Sequence, residues 1–138
     1  MTPGSPGYSG TPLAKKLGIK AGSRVFIAGA PDGYLELLEP LPDGVAFTRR
    51  VSAAVDIAQV FTAKRSDLVR HLDSLRKVLK PEAAIWVSWP KKASGVATEV
   101  TEQTIRDVAL PIGLVDIKVC AVTDVWSGLK LVVRKDLR

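Results

Sequence analysis

A chain of 138 residues with 46% apolar and 25% charged residues has the size and composition of one globular domain with a buried core, and neither disorder nor a collagen-like repeat fits it. Its 20 Lys and Arg against 14 Asp and Glu leave a net charge of +6, which permits phosphate-bearing or acidic partners without requiring one. No stretch approaches the roughly 20 apolar residues that cross a bilayer, so no membrane partner is expected, and the lone Cys120 excludes an internal disulfide.

The opening, MTPGSPGYSG, is polar and rich in Gly and Pro; residues 1–10 read as a flexible tail, with no apolar signal core and a cytoplasmic address expected. Residues 11–138 are then one domain. Thr11 followed by Pro12 marks a helix start, and Gly18 stops the short helix over Pro12 to Leu17. Ser23 to Gly29 (SRVFIAG) is an unbroken apolar run of strand length, the pattern of a strand covered on both faces. Asp56 to Thr62 (DIAQVFT) and Ala83 to Trp89 (AAIWVSW) share it. A short helix is expected over Gly33 to Leu38 and a weaker strand over Val45 to Arg49.

Leu68, Val69, Leu72, Leu75, Val78 and Leu79 recur at helical spacing, with Ser66 as expected N-cap, Arg76, Lys77 and Lys80 in the last turn and Pro81 as the stop. The strand–helix–strand crossover this implies belongs to a parallel sheet. A last helix runs from the Thr101 cap to Leu110. Val115 to Val119 and Leu129 to Arg134 alternate instead, and the residues between them suit a hairpin, so one edge of the sheet is expected to be antiparallel, with Leu129 to Arg134 as an exposed edge. The expected architecture is a doubly wound, three-layer α/β sheet of about six strands, mostly parallel with an antiparallel C-terminal pair.

This order of elements resembles a shortened class I methyltransferase fold, a Rossmann-like sheet whose last strand runs antiparallel. Residues 75–91, LRKVLKPEAAIWVSWPK, resemble the helix, turn and central strand of that fold. Three blocks are more specific: residues 8–25 (YSGTPLAKKLGIKAGSRV), 85–122 (IWVSWPKKASGVATEVTEQTIRDVALPIGLVDIKVCAV) and 126–135 (WSGLKLVVRK). They are similar to a bacterial family known as domain of unknown function 3052. The resemblance implies the Rossmann-like fold and no particular activity.

In an open α/β sheet, ligands sit outside the carboxyl ends of the strands. The first loop there, Gly29 to Tyr34, keeps Gly29 and Gly33, but Pro31 removes an N–H from it. Methyltransferases that this chain resembles place a carboxylate at the end of the second strand for the ribose hydroxyls of S-adenosylmethionine. Thr48-Arg49-Arg50 stands there instead, donors where acceptors are wanted, so that cofactor is disfavoured and no cofactor is expected. Arg49-Arg50, Lys64-Arg65 and Lys91-Lys92 all follow expected strand ends, an arrangement suited to an anion. Trp89 and Trp126 fall near the same ends, where tryptophan marks a contact surface or packs onto neighbouring loops.

The candidate ligand site is therefore Gly29, Asp32, Gly33, Tyr34, Arg49, Lys64, Arg65, Trp89, Lys91, Lys92 and Trp126. Asp32, Asp56 and Asp124 are the carboxylates expected at that edge. His71 is expected to be a solvated helix residue and Cys120 an inert, half-buried thiol. No metal-ligand spacing, Walker loop or Gly-x-Ser-x-Gly elbow occurs in the sequence. The expected function is a non-catalytic Rossmann-like module that binds a small anionic or nucleotide-like ligand, or a protein partner. A minimal S-adenosylmethionine-dependent methyltransferase and a nucleic-acid binder acting through the basic pairs are the alternatives.

Overall fold

Ile57–Phe61, within the run Asp56 to Thr62, is apolar except for one glutamine and buried along its whole length, as a strand sandwiched between two layers must be. It is β3 of a six-stranded sheet in the computed structural model, which describes residues 11–138. The expected tail over residues 1–10 lies outside them. The strands are β1 (Arg24–Ala28), β2 (Ala46–Thr48), β3, β4 (Ala84–Pro90), β5 (Leu114–Ala121) and β6 (Trp126–Val133), in the spatial order β2-β1-β3-β4-β6-β5. The first four run parallel; β6 is antiparallel to both β4 and β5. This is the expected mostly parallel sheet with an antiparallel C-terminal pair.

Strand alternation sends successive side chains into two separate cores. Ala58 and Val60 of β3 join Val87, Leu129 and Leu131 beneath α3 (Arg65–Val78) and α4 (Glu102–Ala109), which contribute Leu68, Leu72, Leu75 and Ile105. Ile57 and Phe61 turn the other way, joining Val25 and Trp86 beneath α1 (Leu13–Lys16) and α2 (Tyr34–Leu37). Trp86 donates its indole N–H to the Leu17 carbonyl at 3.0 Å, which pins the end of the one-turn α1 onto the central sheet. A helix that short is not stable alone.

The helix caps differ in part from the expectation. Thr101 caps α4 as read from sequence, its Oγ1 accepting from the Thr104 N–H at 3.2 Å while Thr104 Oγ1 accepts from the Thr101 N–H at 3.1 Å. Helix α3 starts at Arg65, ahead of Ser66, because Thr62 Oγ1 bonds Lys64 N–H at 3.2 Å and Glu99 Oε1 accepts the Arg65 N–H at 3.0 Å. That cap comes from a distant loop, which local spacing does not reveal. At α1 the N-cap position falls on Pro12 and not on Thr11.

The antiparallel pair also corrects the expected edge. β6, which contains Leu129 to Val133, lies between β4 and β5, so the open edge is Leu114–Ala121. The register shifts between Asp116 and Lys118, and both Ile117 and Val119 are more than half exposed, so the alternation read from sequence fails there. A bulge of this kind blunts an edge against further pairing.

Asp56 does not reach the carboxyl edge. It precedes β3 at the opposite end, where its Oδ2 accepts the Arg24 N–H at 2.8 Å and its Oδ1 meets Lys80 Nζ at 2.5 Å. The Lys80 hydrogen bond, with help from the Arg24 N–H, holds the Asp56 carboxyl below the usual carboxylate range. A folded pKa below the unfolded one adds stability that is present above the unfolded value and is lost as pH falls through the folded value. Asp56→Asn is expected to lower the urea midpoint at neutral pH and to flatten its decline below about pH 4. An acid limb as steep as that of the unaltered protein would refute this role.

Candidate ligand site at the carboxyl ends of β1 and β2

β1 ends against its neighbour. Gly29 has φ +74°, and a Cβ there would stand 2.5 Å from the Phe61 carbonyl oxygen of β3. The chain therefore leaves the sheet through a left-handed turn that only glycine passes without strain. A second left-handed residue, Gly33 (φ +80°), then starts α2. Between this loop, α2 and the end of β2 lies a hollow of about 760 Å³. Ile27, Leu35 and Phe47 give it apolar walls; Asp32, Glu36 and Arg49 give it charges of both signs.

The hollow brings together Gly29, Asp32, Gly33, Tyr34 and Arg49 of the residues singled out from sequence. Asp32 and Arg49 are exposed. Tyr34 borders the hollow but is only 2% exposed, and its hydroxyl donates to Gln59 Oε1 inside the core. Burial, reinforced by the nearby Cys120 thiol, pushes the Tyr34 phenol far above its ordinary pKa, so it stays a neutral donor.

The other singled-out residues stand outside the hollow. Lys64 and Arg65 follow β3, and Lys91 and Lys92 follow β4, so these pairs occupy the same rim of the sheet without lining the hollow. Trp89 is 8% exposed and belongs to the core under α3 and α4. Trp126 is half-buried on the other face, edge-on to Phe61 at 5.3 Å between ring centroids, and Phe61 is edge-on to Tyr34 at 4.8 Å. The register explains the split. Trp89 pairs with Ser127 and Pro90 with Trp126, so the two tryptophans share an end of the sheet and lie on opposite faces of it.

Of two further residues, one departs from expectation and one meets it. His71, on α3, is half-buried rather than solvated; burial, then Arg70, lowers its pKa. Cys120 is half-buried and its pKa is raised by burial, the state of an unreactive thiol. Among the described residues no group of His, Cys, Asp or Glu is arranged to hold a metal ion, and no helix is long and apolar enough to cross a membrane.

Phe47, Leu35 and Glu36 were not legible as site residues, because only folding of α2 beside β2 brings them to the hollow. Gln59 left a signal, as the one polar side chain inside an otherwise apolar strand.

A six-stranded order that winds one way from β1 to β2 and the other way from β1 to β3, with an antiparallel final strand, defines a class I methyltransferase-like Rossmann fold. Solved structures agree. A type 11 methyltransferase assignment from Sulfolobus solfataricus superposes with TM-score 0.64 at 14% identity over 89% of this chain and 90% of that one. An S-adenosylmethionine-dependent methyltransferase from Aquifex aeolicus gives 0.62 at 16% identity over 88% and 87%. Aeropyrum pernix fibrillarin, solved with S-adenosylmethionine, gives 0.56 at 14% over 87% and 73%. At these identities the likeness is one of fold. Within that class the chain belongs to the family described as "Protein of unknown function (DUF3052)", which matches residues 48–135. No curated protein matches the sequence.

The two loop glycines differ in what surrounds them. A Cβ at Gly33 meets nothing within 4 Å, whereas one at Gly29 meets main chain. Gly33→Ala is expected to cost about 1 kcal/mol from its backbone conformation alone. Gly29→Ala should cost at least about 2 kcal/mol, since strain and a backbone clash add. Urea midpoints at unchanged m-value check the ranking, and equal losses would show that the Phe61 carbonyl yields freely.

Proposed function

We propose that the chain is a non-catalytic binding module whose hollow takes a small anionic, nucleotide-like ligand. The observation that carries this reading is the hollow itself, at the carboxyl ends of β1 and β2, with Arg49 at the end of β2 and Asp32 and Glu36 on the side of β1 and α2. An arginine there suits a phosphate, which its planar fork grips with paired hydrogen bonds. The carboxylates suit sugar hydroxyls, and Phe47 and Leu35 offer apolar surface to a base. The Tyr34 hydroxyl is turned into the core and held neutral, which supports binding without chemistry.

The methyltransferase-like fold implies S-adenosylmethionine, and the residues present do not fit the usual grip on it. β2 ends in Thr48 and Arg49 where a carboxylate would take the ribose hydroxyls, and Thr48 Oγ1 is already engaged by the Arg50 N–H at 3.0 Å. Pro31 brings no N–H to the loop.

Calorimetric titration with ribose 5-phosphate and with adenosine monophosphate is expected to give saturable binding. Arg49→Ala should weaken both about tenfold, roughly 1.4 kcal/mol. Binding of S-adenosylmethionine that Arg49→Ala leaves intact, with neither phosphate compound bound, would overturn the proposal.

A further inference from the structure

Gln59 stands in the middle of β3 between Ile57 and Phe61 and is 1% exposed. Its Oε1 accepts from the Tyr34 hydroxyl, while its Nε2 meets no protein acceptor among the described residues. Leaving a buried amide N–H unsatisfied costs about 1–3 kcal/mol, a cost that an apolar side chain of the same size avoids. Fold stability alone is therefore a poor reason for a glutamine here.

The amide lies close behind the site. Ile27, in the wall of the hollow, is the cross-strand neighbour of Gln59, one strand spacing or about 4.8 Å away. Tyr34 also borders the hollow, and its hydroxyl reaches Gln59, so this one residue links the two. The hydroxyl bond to Gln59 and the edge-on Phe61 ring hold Tyr34 in place. Tyr34 begins the one-turn α2, whose Leu35 and Leu37 are about half exposed, and it follows Gly33, around whose Cβ position the space is open.

We propose that Gln59 is the base-reading residue of this site and that Tyr34 is its gate. With the Tyr34 ring displaced, the Gln59 amide presents an acceptor and a donor side by side. That pair complements the amino group and adjacent ring nitrogen of adenine, the pairing by which glutamine reads adenine elsewhere. Guanine offers two acceptors on the same edge and leaves Oε1 unmatched. The Tyr34 hydroxyl satisfies one half of the amide; adenine satisfies both. The gate reports its own position as well. Tyr34, Phe61 and Trp126 form an edge-to-face row, so a displaced Tyr34 ring alters the packing against Trp126.

The inference rests on the nucleotide reading of the hollow, and the test separates the two. Adenosine monophosphate, guanosine monophosphate and ribose 5-phosphate are titrated into the unaltered protein, Tyr34→Phe and the double variant Tyr34→Phe/Gln59→Leu. The double variant removes both hydrogen-bonding partners at once, which keeps the core apolar and the fold intact.

The unaltered protein is expected to prefer the adenine nucleotide about tenfold, and Tyr34→Phe, with the latch removed, to bind it at least as tightly. The double variant should lose the preference while keeping its affinity for ribose 5-phosphate. Tryptophan emission should change on adding adenosine monophosphate, and the change should vanish in Trp126→Phe. A preference retained in the double variant, or no preference in the unaltered protein, would overturn the role of Gln59 and leave the hollow as a phosphate site. Failure of all three compounds to bind would overturn the site itself.

Discussion

At the carboxyl end of β1 the main chain must leave the sheet beside the Phe61 carbonyl, with only 2.5 Å between that oxygen and the place a Cβ would occupy. The crowding follows from pairing β1 and β3 in parallel as far as Ala28 and Val60, which leaves Phe61 beside Gly29. With a left-handed turn at Gly29 the loop swings to the face that α2 covers, Tyr34 comes to rest over β3, and space opens between the loop and β2. The hollow and the placement of Tyr34 both depend on that single close approach. The glycine is thus explained by the sheet before any ligand is considered. A Gly-rich first loop in this fold is accordingly weak evidence for a cofactor.

Most of the architecture was legible because burial on two faces leaves an unmistakable pattern. Three largely apolar runs mark β1, β3 and β4, and the long periodic helix between the last two makes them parallel neighbours. The pairing of β6 was not legible, because an inner strand carrying Lys130 reads like an exposed one. Lys130 is tolerated in an inner strand because it is only half-buried, its Nζ reaching out near Gly18. Gly18 lies more than a hundred residues away in sequence, out of reach of any local pattern.

Trp89 illustrates the same limit from the other side. Beside two lysines and a glycine it has the look of a loop tryptophan at a contact surface. It is core because the segment after β4 doubles back over it. Glu99 donates its N–H to the Ala63 carbonyl at 2.8 Å, and Val100 joins the apolar cluster that holds Trp89. The site was therefore half legible. Loop residues fixed by strand ends, such as Asp32 and Arg49, could be placed from the chain alone, whereas those that reach the hollow through packing, such as Phe47 and Glu36, could not.

The charges around the hollow invert the arrangement this fold commonly uses. The cation stands at the end of β2 and the carboxylates stand on the side of β1 and α2. Under the proposed function a ligand would lie with its anion away from the β1 loop, which removes any need for the N–H that Pro31 lacks. Its base would then point along the sheet face towards Ile27 and Tyr34, not out over the loop. On that face an apolar strand is broken by one amide, half-satisfied by a tyrosine that a phenylalanine could replace at no cost in volume. A sequence optimised only for packing would hold neither group. Orientation of the ligand and the polar flaw in the core thus converge on the same few ångströms of β3.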